Sequence, residues 1–105
     1  MDVQRRFILH LVRSVRREII RVMELHGLPP PRLTIESNGT GIALVMEGRG
    51  RLGRTLRCSF RSNTFMVQVG DTVVLYDTLE TTDGSSPTDK VVRTLFDTFI
   101  DYALI

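Results

Sequence analysis

The stretch RTLRCSFRSNTFMVQVGDTVVLYDTL, residues 54–79, decides the fold. Apolar and polar residues alternate along it, as in strands that bury one face. Two short turn signals, Ser62-Asn63 and Gly70-Asp71, divide it into three strands. Strands joined by turns this short must pair antiparallel. The predicted strands are 54–61, 64–69 and 72–79, with Leu56, Cys58, Phe60, Phe65, Val67 and Val69 pointing inward from the first two.

Two more strands are predicted upstream of this stretch. Residues 32–37 alternate, with Leu33 and Ile35 on one face, and residues 41–47 are nearly all apolar. Asn38-Gly39 between them is a strong signal for a hairpin turn. The glycine-rich and arginine-rich residues 48–53 are predicted to form the next loop. The whole segment therefore predicts an antiparallel meander of four to five strands.

A long amphipathic helix is predicted over residues 3–26. Gly27 is a suitable residue for its C-terminal end, and the three prolines at 29–31 prevent the helix from continuing. Its apolar face is predicted to contain Phe7, Ile8, Leu11, Val12, Val15, Ile19, Val22 and Leu25.

A second helix is predicted after the meander. Ser86 is a suitable N-cap, Pro87 suits the first helical position, and Asp89 can complete a capping box. The buried stripe is predicted to contain Val91, Val92, Leu95, Phe96, Phe99, Ile100 and Ala103.

The order of elements predicts an α+β fold with two layers, in which an N-terminal helix and a C-terminal helix cover one face of an antiparallel meander. The 105 residues predict a single domain, 1–105, and a hydrophobic content of 42% is enough to form a core without a disulfide or a metal. The lone Cys58 and the lack of a long apolar run predict an intracellular protein, cytoplasmic or nuclear, with no transmembrane segment.

Arginine is the unusual feature of the composition. The chain has 13 Arg and one Lys, and 12 of the Arg lie in residues 1–61. That segment has a formal charge of +7, whereas residues 62–105 have a formal charge of −5, so the net charge of +2 conceals a strong asymmetry. Such an asymmetry predicts a basic surface that meets a polyanion or an acidic partner.

The first candidate site is the basic side of the N-terminal helix. Arg13, Arg17 and Arg21 lie on one stripe, together with Arg6 and His10, because their spacings of three, four and seven residues keep them on one side of a helix. A row of guanidinium groups can follow a phosphate backbone. Three interpretations stay open: polyanion binding, contact with a protein partner or a second copy, and a solvated outer face.

The second candidate site is the loop and strand with Arg49, Arg51, Arg54, Arg57 and Arg61. The intervening glycines expose backbone N–H groups, and arginine/glycine loops adapt to nucleic-acid phosphates. The pattern Gly48-x-Gly50-x-x-Gly53 matches a dinucleotide-binding fingerprint only formally, since two antiparallel strands flank it and no helix follows. The alternative interpretation is a solubilising hairpin loop.

Other polar residues do not form a recognisable catalytic or metal-binding pattern. Cys58, His10 and His26 are too unrelated in spacing to predict a nucleophile with its base or a metal site. The acidic residues of the C-terminal half lack the alternating ligands of a calcium loop. No catalytic residue, metal or cofactor is therefore predicted.

The sequence predicts a non-enzymatic nucleic-acid-binding module that uses Arg–phosphate contacts, with RNA favoured over DNA. A homodimer is also predicted, because the outward face of the sheet carries a mixture of apolar and polar residues. The alternative is a protein-interaction or adaptor subunit whose arginine-rich face binds an acidic protein partner. Few aromatic residues lie near the arginines, which predicts weak base stacking.

Overall fold

The computed structural model describes residues 3–37, 39, 41–48 and 53–104, and in this part of the chain two helices flank five strands. The predicted α+β order is confirmed. The elements are α1 (Val3–Leu25), β1 (Arg32–Ser37), β2 (Ile42–Glu47), β3 (Thr55–Arg61), β4 (Thr64–Val69), β5 (Thr72–Thr78) and α2 (Pro87–Asp101).

The five strands form one antiparallel sheet in the order β1-β2-β3-β4-β5, so each strand pairs with its neighbour in sequence. The predicted turn at Asn38-Gly39 lies partly outside the described residues, but Ser37 pairs with Ile42 as a hairpin requires. A register shift between Val67 and Gln68 marks a bulge in the pairing of β4 with β5. The predicted meander is therefore a five-stranded one.

One face of the sheet forms the core together with both helices. The inward residues of β3 and β4 alternate with half-buried ones, as predicted, and residues from α1 and α2 belong to the same buried cluster. Two layers therefore enclose a single core. Its largest fully buried side chains are Phe60, Phe65, Ile19, Met23, Leu44, Met46, Leu56, Leu95, Leu104, Val12, Val15 and Val67.

Both helices end in the same kind of cap, but with different residues at the key position. At the end of α1, the N–H groups of Gly27 and Leu28 donate to the carbonyls of Glu24 and Met23, and Gly27 has a φ of 68°. This is the Schellman arrangement, in which the residue after the cap takes a left-handed conformation. Glycine adopts that conformation without a steric cost.

The end of α2 repeats this arrangement with alanine in place of glycine. The N–H groups of Ala103 and Leu104 donate to the carbonyls of Ile100 and Phe99, and Ala103 has a φ of 54°. Leu104 is buried beside the core, as the hydrophobic contact of the Schellman motif requires. At the other end of α2, Ser86 is the N-cap and its Oγ accepts from the Asp89 N–H at 3.1 Å, which confirms the predicted cap.

Four residues that were predicted to lie on buried faces are exposed instead. Phe7 and Leu25 of α1 are 51% and 70% exposed, and Ile100 and Ala103 are exposed at the end of α2. Ile8 and Met23, at the same levels of α1, are buried, so the core covers the helix there. Phe7 and Leu25 are exposed because they lie at the margin of its apolar side, about 100° around the helix from the middle of the buried face. Ala103 lies beyond the last turn of α2, where helical periodicity no longer applies.

Candidate nucleic-acid interface

The arginines of α1 form a row on its solvent side. We call Arg6, His10, Arg13, Arg17 and Arg21 the helix stripe; all five are exposed. The buried residues of α1 occupy the opposite side of the helix, against the core. At 1.5 Å per residue the stripe extends about 22 Å along the helix axis.

Few acidic groups neutralise this row. The Arg21 guanidinium binds the Glu18 carboxylate at 2.8 Å, and this hydrogen-bonded pair raises the pKa of Arg21. Arg17 Nη2 donates to Ser14 Oγ at 3.4 Å, which leaves its charge uncompensated. Arg6 and Arg13 form no ion pair with any residue that the structure describes. Most of the positive charge of the helix stripe is therefore available to an outside anion.

The two predicted strand arginines lie on the uncovered face of the sheet. Arg57 is half-buried, and its Nη2 binds Glu36 Oε2 on β1 at 2.6 Å. Arg61, at the end of β3, is exposed. Because Glu36 already neutralises Arg57, only Arg61 of this pair offers an uncompensated charge to a ligand.

Arg54 has a structural role that the sequence did not reveal. Its Nη2 donates to the backbone carbonyl of Tyr102 at 2.6 Å, and Tyr102 is the C-cap of α2. A cation at this position also interacts favourably with the helix dipole. Arg54 Nε is buried without a hydrogen-bond partner in the described part of the chain. Its guanidinium is therefore directed at the end of α2 and not freely into solvent.

Gly48 allows the backbone after β2 to approach the backbone of Arg54 and Leu104 closely. A Cβ on Gly48 would lie 2.5 Å from the carbonyl oxygen of Arg54 and 2.9 Å from that of Leu104. The Gly48 N–H donates to the same Arg54 carbonyl at 3.1 Å. The remaining predicted loop arginines, Arg49 and Arg51, lie outside the described residues.

The two groups of arginines lie on opposite sides of the molecule. The helix stripe points away from the core on the helical layer, whereas Arg57 and Arg61 occupy the uncovered face of the sheet. The structure therefore brings Arg13, Arg17 and Arg21 together on the helical layer and places Arg57 on the other layer. Arg61, at the end of β3, also reaches the edge of the sheet next to the start of α1.

Arg5 belongs to neither of the candidate sites predicted from the sequence. It bonds Ser37 Oγ through its guanidinium, and it lines a depression of about 360 Å³ at the end of the sheet. Arg61 lies on the rim of the same depression. The only sequence signal for this was the Arg5-Arg6 pair at the start of α1. The lining residues are Gln4, Arg5, Ile8, Gly39, Gly41, Ile42, Phe60, Arg61 and Ser62.

Cys58, His26 and Asp77 lie outside the two arginine groups and have surroundings that explain them structurally. Burial raises the pKa of the Cys58 thiol, which keeps it protonated and away from solvent. His26 Nδ1 lies 2.9 Å from the Val22 carbonyl oxygen, and its ring contacts Phe96 at 4.8 Å. Among the C-terminal acids, Asp77 pairs with Lys90 at 3.5 Å.

The described residues contain neither a cluster suited to a metal ion nor a helix suited to span a membrane. No three His, Cys, Asp or Glu side chains in these residues lie close enough together to hold a metal ion. Neither helix in this part of the chain has both the length and the apolar character needed to cross a bilayer.

Comparison with known proteins supplies no relative for this chain. No protein-family model matches it, and searches of curated proteins and of solved structures also find no match.

Proposed function

We propose that this protein is a non-enzymatic nucleic-acid-binding module, with RNA favoured over DNA, and that the helix stripe is its principal contact surface. The observation that carries the proposal is the row of exposed arginines on α1, of which Arg6 and Arg13 have no ionic partner among the described residues. Arginine binds phosphate through two parallel N–H···O bonds, which suits a phosphate backbone.

The electrostatics of α1 also support an anionic ligand. The helix carries six Arg and two Glu, and no acidic residue lies in its first turn. Arg5 and Arg6 therefore add positive charge to the end of the helix that is already positive. Like charges three or four residues apart repel, as between Arg13 and Arg17. An anion bound along the helix stripe would relieve both sources of repulsion.

The sheet arginines have a smaller part in this proposal than the sequence predicted. Arg57 is paired with Glu36, and Arg54 is bonded to the end of α2. We assign Arg61, with Arg49 and Arg51, to secondary contacts on a longer strand that passes beyond the helix stripe. Replacing Arg54 would disturb the fold as well as any binding, so it is a poor probe of function.

The test is fluorescence anisotropy with a labelled 20-nucleotide single-stranded RNA at 50 mM salt. The variant Arg13→Gln/Arg17→Gln removes two charges from the helix stripe. We expect its affinity to fall about tenfold or more, because two Arg–phosphate contacts are lost. The matched control, Arg32→Gln/Arg93→Gln, removes two exposed charges elsewhere and should change affinity less than threefold, or about 0.7 kcal/mol.

Three results are informative. A selective loss in the helix variant supports the proposal, whereas equal losses in both variants would indicate only a response to net charge. If the unmodified protein binds neither RNA nor DNA at 50 mM salt, the proposal is wrong. The alternative, an adaptor subunit that binds an acidic protein partner through the same arginines, would then be tested by pull-down.

We also propose that a second copy packs against the uncovered face of the sheet. The pairing register places two rows across this face: Thr34, Val45, Arg57, Gln68 and Val73, and then Glu36, Ala43, Ser59, Met66 and Tyr76.

The composition and size of this face favour a copy of the chain over a polyanion. Arg57 and Glu36 neutralise each other, and Tyr76 and Val73 are 67% and 50% exposed apolar groups at the edge. Five strands span about 24 Å, and each is about 20 Å long, which gives an area of about 480 Å² before side chains are counted. Side chains that project from the sheet add to this area, which brings it toward the roughly 800 Å² per partner of a standard interface.

Light scattering after size exclusion tests the dimer. We expect the mass of two chains for the unmodified protein and of one chain for Met66→Lys, because a charge would be buried at the centre of the interface. Val3→Lys, on the exposed start of α1, is the control and should leave the mass unchanged. A monomeric unmodified protein at 100 micromolar, a concentration on the order of a weak interface's dissociation constant, would refute the dimer.

A further inference from the structure

Phe7 is an aromatic side chain that the fold leaves in solvent. It is 51% exposed and does not pack against the core cluster, although its neighbour Ile8 is buried. It makes no ring contact with another aromatic residue in the described part of the chain. Phe7 is exposed because it lies at the margin of the apolar side of α1, about 100° around the helix from the middle of the buried face.

The surroundings of Phe7 distinguish it from an ordinary exposed apolar residue. Arg6 precedes it, and His10 follows one helical turn later on the same side. Ser14, one further turn along, accepts a hydrogen bond from Arg17 Nη2 at 3.4 Å, which draws that guanidinium toward the side of the helix that carries Phe7. Phe7 therefore borders the N-terminal end of the helix stripe.

This arrangement combines the two elements that single-strand binding requires. Cationic groups follow the phosphates, and an aromatic ring provides a surface on which an unpaired base can stack. Ser14, which accepts the hydrogen bond from Arg17, lies about 10 Å from Phe7 along the helix axis and on the same side, so that one strand can contact both Phe7 and the Arg17 guanidinium. A base inside a duplex is already stacked between its neighbours and cannot use the ring in this way.

We propose that Phe7 stacks on an unpaired base of a nucleic acid held by the helix stripe, and so makes the protein selective for single strands over duplexes. The inference rests on the proposed function and adds a ligand class to it. It differs from the sequence-based expectation of weak base stacking, which rested on the small number of aromatic residues near the arginines.

The experiment compares three labelled ligands of equal length: a 12-nucleotide single-stranded RNA, a duplex of the same sequence, and a 12-residue abasic strand with phosphates but no bases. Phe7→Ala should weaken binding of the single-stranded RNA about 5- to 150-fold, the range for loss of one stacked base. Binding of the duplex and of the abasic strand should be unchanged.

Matched variants separate stacking from simple apolar contact. Phe7→Trp should retain single-strand binding, whereas Phe7→Leu should not, because only an aromatic ring stacks on a base. Leu25→Ala removes an even more exposed apolar group at the far end of α1 and should have no effect. Thermal unfolding by circular dichroism checks that Phe7→Ala folds normally, as its position outside the core predicts.

The outcomes distinguish this inference from the proposed function. Salt-sensitive RNA binding that is the same in Phe7→Ala and the unmodified protein would overturn the stacking role and leave the helix stripe as the binding surface. If the unmodified protein does not bind RNA at all, both the stacking role of Phe7 and the proposed function are wrong. If Phe7→Ala instead abolishes binding to vesicles with 30% phosphatidylserine, roughly an anionic leaflet, and leaves RNA binding intact, Phe7 is a lipid contact and the inference is wrong.

Discussion

The C-terminal ends of the two helices provide a stability test. Two substitutions there should change the free energy of unfolding in opposite directions. Gly27 and Ala103 occupy the same position of the Schellman motif, with φ angles of 68° and 54°. A Cβ on Gly27 would meet no atom within 4 Å, and Ala103 is exposed. Exchanging glycine and alanine at these positions therefore changes the backbone preference and almost nothing else.

The magnitude follows from two opposing terms. An L-residue in the left-handed region costs about 1–2 kcal/mol. Glycine avoids this cost but loses about 0.5–1 kcal/mol more backbone entropy on folding than alanine does. The difference predicts that Ala103→Gly raises the free energy of unfolding by about 0.5–1 kcal/mol. Gly27→Ala should lower it by a similar amount.

Urea unfolding followed by circular dichroism measures both changes, and thermal unfolding provides a second measure. In a domain of this size, 0.5–1 kcal/mol corresponds to a shift in Tm of about 2–8 °C. Destabilisation by Ala103→Gly, or a Gly27→Ala variant as stable as the unmodified protein, would show that the left-handed cap does not control these helix ends.

Three further predictions concern single residues. Gly48→Ala should lower the free energy of unfolding by about 1–3 kcal/mol in urea, since its Cβ would meet the backbone oxygens of Arg54 and Leu104, and a neutral effect would contradict this close approach. Cys58 should react with a thiol reagent only as fast as the protein unfolds, because burial raises its pKa and excludes the reagent; rapid reaction under native conditions would contradict that burial. Hydrogen bonds from Ser85 lower the pKa of Asp83 to about 2, so its ionised form favours folding above about pH 4 and this contribution disappears as the pH falls through 2. The stability difference between the unmodified protein and Asp83→Asn should therefore shrink over that range in pH-dependent urea unfolding, and a difference independent of pH would refute the linkage.

The sheet could be predicted from sequence because local signals agreed with the global arrangement. The turns at Ser62-Asn63 and Gly70-Asp71 fix the pairing of adjacent strands, and alternation then assigns their faces. The start of α2 was predictable for the same reason, since Ser86 and Pro87 act within a single helical turn.

The exposure of Phe7 and the role of Arg54 could not be predicted in this way. The periodicity of α1 identifies an apolar side, but not how wide a part of that side the core covers. Arg54 bonds a carbonyl 48 positions later in the chain, and no local pattern records such a contact. The candidate site was therefore identified by composition, but its division into a helix stripe and a separate sheet group required the tertiary structure.

The most direct test of the central claim is the salt dependence of binding by the unmodified protein. We predict that the logarithm of the association constant for single-stranded RNA falls linearly with the logarithm of the salt concentration. Contacts from Arg6, Arg13 and Arg17, the helix-stripe arginines with no ionic partner among the described residues, give a slope of about −2, since each neutralised phosphate contributes about −0.7 on a single strand. Arg13→Gln/Arg17→Gln should reduce the steepness by about 1.4. A slope near zero, or the same slope in that variant, would contradict the account.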